Sequence, residues 1–104
     1  MTNDKSTTTI DQSLILSSVR ALWGCIMPSL VSVSIEIQDH TILWQCIFDP
    51  SAAETDLELL SSAAAEVIAD FKTYNLKEII KKVSYPNNIE HLKNLIYLRY
   101  EVNK

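Results

Sequence analysis

Val31, Val33, Ile35 and Ile37 alternate with Ser32, Ser34, Glu36 and Gln38, the cleanest period-two run in the chain. Such a run puts apolar side chains on one face of a half-buried strand and polar ones on the other. Asp39-His40 forms a short polar turn, and Ile42, Trp44, Cys46 and Phe48 then make one face of a second strand. Two strands joined by two residues read as an antiparallel hairpin, although Asp-His is not the favoured dipeptide for that turn. The other face of the second strand, Leu43, Gln45 and Ile47, is more apolar than a solvated face should be.

On either side of this hairpin the period is that of a helix. Leu14, Ile15, Val19, Leu22 and Ile26 share a face, with Asp11 as the expected N-cap. Gly24, the only glycine, stands where a left-handed C-cap would want it, and Pro28 forbids continuation. The first helix is therefore expected over about 11–24, with Trp23 near its end. Asp49-Pro50-Ser51 ends the second strand, and Ser51-Ala52-Ala53-Glu54 fits a capping box. Leu57, Leu60, Ala64, Val67, Ile68 and Phe71 then form an apolar stripe, with Glu58, Ser62, Glu66 and Asp70 largely off it. The second helix is expected over about 52–72.

A third strand is expected over about 78–85, where Lys81 interrupts the face of Ile79, Val83 and Tyr85 and marks an edge. Pro86-Asn87-Asn88 signals a turn, an irregular stretch runs through Asn94, and a last strand follows over about 95–102. The order α-β-β-α-β-β with hairpin-length links predicts an α+β fold, a four-stranded antiparallel sheet with both helices packed on one face. At 104 residues this is one domain, a flexible tail over 1–9 and a single unit over 10–104. The start of the chain has no apolar signal segment and no run suits a membrane span, so the cytoplasm is the expected compartment.

Little in the chain supports catalysis. One glycine cannot build a phosphate-binding loop, which excludes nucleotide sites of that kind. His40, His91, Cys25 and Cys46 are scattered, without metal-ligand spacing, so neither a metal nor any other cofactor is expected. Both cysteines fall in apolar segments and read as reduced core residues, not as a nucleophile paired with His91. Glu54 and Glu58 stand four apart on one helix face, a spacing that a solvated surface explains without general acid–base work. Trp44 reads as core, whereas Trp23 is as well suited to a binding surface. Tyr85, Tyr97 and Tyr100 could stack on bases, but the glycine-aromatic runs of such sheets are missing.

Charge is divided along the chain. Residues 1–70 carry ten acids against Lys5 and Arg20, a balance of −8, and residues 71–104 carry seven bases against three acids, a balance of +4. The acidic part argues against duplex nucleic acid as a direct partner and fits steering toward a basic protein. The residues placed to form such a surface are Glu54, Asp56, Glu58, Glu66 and Asp70 on the second helix, with Asp39 and Asp49 at strand ends. The plainer account of these acids is a solvated helix face.

The stretches ALWG (21–24), SVSIEI (32–37), FDPSAAETDLELLSSAAAEVIADF (48–71), VSYP (83–86) and LIYLRYE (95–101) resemble a family of small bacterial immunity proteins. That family belongs to colicin-like and contact-dependent growth-inhibition toxin systems. The resemblance implies a non-enzymatic protein that binds and neutralises a cognate toxin domain, a nuclease by the charge argument, and a monomer or weak dimer is the expected state. It assigns no individual residue a role. The alternative reading is a homo-oligomeric scaffold that associates through Leu43 and Ile47 or through a sheet edge. A third is an enzyme or nucleic-acid binder that uses loop residues such as His91 and Asn87.

Overall fold

The computed structural model describes residues 3–84 and 89–99, with side chains from residue 10 onward. The elements run α1 (Asn3–Leu22), β1 (Leu30–Gln38), β2 (Thr41–Phe48), α2 (Glu54–Ala69), β3 (Asn75–Lys82) and β4 (Asn94–Leu98). Helix α1 starts before Asp11, so Asp11 is an interior residue and not the expected N-cap; its carboxylate accepts from Lys93 Nζ at 3.3 Å. The other end agrees with the sequence. Gly24 adopts φ +79°, and the Cys25 amide turns back to the Leu22 carbonyl at 2.9 Å. A residue without Cβ takes that left-handed conformation at no steric cost.

Strands β1 and β2 form the expected hairpin, with Gln38 opposite Thr41 and Asp39 at φ 56° between them. Aspartate is among the few residues that tolerate this conformation, which is how Asp-His serves in place of a glycine turn. Val33 and Ile35 of β1 pair with Cys46 and Trp44 of β2. These side chains, with Leu14, Ala21 and Leu22 of α1 and Leu60, Ala63, Ala64 and Val67 of α2, make one buried core. Trp44 and Phe48 are fully buried, as their strand parity predicted.

The sheet is mixed, not antiparallel, with strand order β3-β2-β1-β4. Strand β3 runs parallel to β2, from Thr41 opposite Asn75 to Phe48 opposite Lys82. The cause is the connection. Helix α2 lies between the two strands and carries the chain back along the sheet, so β3 enters in the direction of β2. Pairing along the whole of β2 also explains why β3 begins at Asn75, three residues before the expected start. Leu76 thereby reaches the core. Tyr85 and the Pro86-Asn87-Asn88 turn lie outside the described residues.

Because β3 and β4 occupy opposite edges, the link between them cannot be a hairpin turn. Its described part, residues 89–93, runs over the sheet face that carries Ser32, Ser34 and Gln45. There Gln45 Nε2 donates to the Glu90 carbonyl at 2.9 Å, and the Leu92 amide donates to Ser34 Oγ at 3.0 Å. His91 Nε2 and Ser32 Oγ share a hydrogen bond at 3.0 Å. Both serines are buried, which corrects the half-solvated reading of β1. Their hydroxyls satisfy a polypeptide segment and not water, as buried polar groups must. Leu43 and Ile47 are buried as well, so that face of β2 offers no surface for self-association.

Strand β4 pairs antiparallel with β1 but breaks register between Val33 and Ser34, where Tyr97 and Leu95 are the successive partners and Ile96 is extra. A bulge of this kind upsets the alternation of side chains. Ile96 and Tyr97 both pack against the helix-side core, while Leu95 and Leu98 are exposed. The strand ends at Leu98, and Tyr100 and Val102 of the expected longer strand lie outside the described residues.

Candidate functional site

The seven acids marked out by the sequence divide into two groups. Asp49, Asp56 and Asp70 are engaged within the protein. Arg99 Nη1 donates to Asp49 Oδ2 at 2.9 Å, and the Ser51 amide and hydroxyl donate to Asp49 Oδ1. The hydrogen bonds from Ser51 and then Arg99 hold the Asp49 carboxyl below the usual carboxylate range. Asp56 Oδ2 accepts from Ser29 Oγ at 2.8 Å and from the Ala53 amide at 3.1 Å. The N-cap of α2 is therefore Ala53, two residues beyond the expected Ser51. Alanine has no side-chain acceptor, so only the reciprocal half of a capping box forms, with Asp56 in place of Glu54. Asp70 Oδ2 accepts from Ser17 Oγ at 2.7 Å and ties the end of α2 to α1.

Glu54, Glu58 and Glu66 are exposed on α2, and Asp39 is exposed in the hairpin turn. At 100° per residue the three glutamates fall on the outward arc of the helix, opposite buried Leu60, Ala63 and Val67. They are the part of the acidic set available to a partner. Asp39 stands apart at the β1–β2 turn, so the seven residues do not form one patch.

The remaining chemistry-bearing side chains have structural roles. Burial pushes the Cys46 thiol up to about 12, which leaves it protonated and inert at neutral pH. Cys25 is raised too, by burial and then by the negative charge of Glu66. Both are free thiols. His91 is held over β1 by Ser32, and His40 makes an edge-to-face contact with Tyr74 at 5.7 Å. Among the described residues no group of three His, Cys, Asp or Glu could hold a metal ion, and no helix is long and apolar enough to cross a membrane.

A second surface was only partly visible in the sequence. Val19 and Ile26, counted there with the core stripe of α1, are 39% and 45% exposed. Together with Leu22, Trp23, Ile96 and Tyr97 they line an open groove of about 270 Å³ between the end of α1 and strand β4. Trp23 is 77% exposed on its rim, the most exposed of the large apolar side chains among the described residues. Clusters of exposed aromatic and aliphatic side chains mark interaction surfaces, and tryptophan is enriched among residues that dominate binding energy.

A family model described as MafI2 immunity protein matches residues 11–101. No curated protein matches the chain. The match agrees with the sequence resemblance in its coarse form, a bacterial immunity protein, and does not carry the attribution to colicin-like or contact-dependent systems.

Proposed function

The chain belongs to the MafI2 immunity protein family, and from that premise we propose that it binds a cognate toxin domain directly and so neutralises it, with no chemistry of its own. The family match over residues 11–101 carries this reading. The protein's surface supports it. Glu54, Glu58 and Glu66 present three carboxylates, with no ion pair or hydrogen bond among the described residues, on one face of a rigid helix. Such a face would mimic phosphates for the cationic cleft of a nuclease, so the toxin is a nuclease in this proposal. Long-range attraction of this kind speeds encounter and fades with salt.

The test is co-expression with a candidate cognate toxin domain, sought first among the neighbouring genes. Growth should be restored, and the two proteins should co-elute as a complex. Continued killing with both proteins present, or separate elution, would remove the immunity reading. Reversal of the acids by the pair Glu58→Lys and Glu66→Lys should slow association several-fold and flatten its salt dependence. Association unchanged in rate and salt response would exclude the α2 face and the charge argument for a nuclease.

A further inference from the structure

No further inference is drawn: the strongest candidate, the open apolar groove that Trp23 borders between the end of α1 and strand β4, is an unpartnered face, and nothing in the structure shows what covers it.

Discussion

β3 and β4 close the two ends of one sheet, yet they treat their open sides differently. β3 pairs with β2 along eight positions without interruption and exposes Lys77, Lys81 and Lys82. β4 is five residues long, carries a bulge, and exposes Leu95 and Leu98 with no charge among its five residues. Lysines on an edge strand oppose further pairing, because a second strand would have to desolvate them. The apolar edge lacks that protection and sits beside the exposed Trp23. The contrast teaches that, among the described residues, one outer strand of this sheet is lined with charge and the other is apolar.

The same contrast extends into the helix layer. α2 meets β3 with Ser61 Oγ donating to Glu78 at 2.6 Å, and just before the helix the Ala52 carbonyl accepts from Lys82 Nζ at 3.2 Å. Its outward face is acidic. α1 borders β4 and leaves Leu16, Val19 and Trp23 exposed along one stripe. Of the two faces, the acidic one suits encounter with a basic partner and acts on the association rate.

The comparison can be broken most severely from the core that both ends share. Leu60 is fully buried beneath α2. Leu60→Ala should destabilise the fold by about 2–5 kcal/mol. Trp23→Ala, with most of its ring in water, should change stability by less than about 0.5 kcal/mol. Denaturant melts of the two variants check this, and a large loss from Trp23→Ala would make that residue structural. The crossing segment that joins the two edges is the next target. Ser34→Ala leaves the Leu92 amide without its acceptor and should cost about 1–3 kcal/mol, with hydrogen exchange rising over residues 89–93.

Removal of the charge that guards β3 sharpens the comparison from the other side. Lys77→Val with Lys81→Val should make the protein self-associate, seen as a concentration-dependent mass by light scattering. The smallest effect concerns Asp49. Its folded carboxyl is held below the unfolded value of about 3.9, so its contribution is present above that pH. That contribution is lost as pH falls through the folded value. Asp49→Asn should remove this part of the acid sensitivity at a cost of about 1 kcal/mol or less at neutral pH, measured by melts between pH 2 and 7.

The hairpin, the α2 stripe and the Gly24 cap were legible in the sequence because each follows a local rule of period or backbone conformation. The parallel pairing of β3 was not, since direction depends on how a helix returns the chain and leaves no mark on β3 itself. Ser32 and Ser34 misled for another reason: a serine that bonds a crossing main chain alternates with valine as a solvated one does. Exposure of Glu54, Glu58 and Glu66 could be read from helix phase, but the partners of Asp49, Asp56 and Asp70 lie far along the chain. Arg99, Ser29 and Ser17 are 50, 27 and 53 residues from them. Val19 and Ile26 continued an apolar stripe that looked like core. In the structure that end of the stripe lines an open groove with Ile96 and Tyr97.

The account rests most on the exposed α2 acids as the face that meets the toxin. Surface-plasmon kinetics of the toxin domain on wild type and on Glu58→Lys with Glu66→Lys, at low and physiological salt, test it directly. The account predicts a slower, less salt-dependent association for the glutamate pair. A pair variant that associates at the wild-type rate with the wild-type salt response would contradict it.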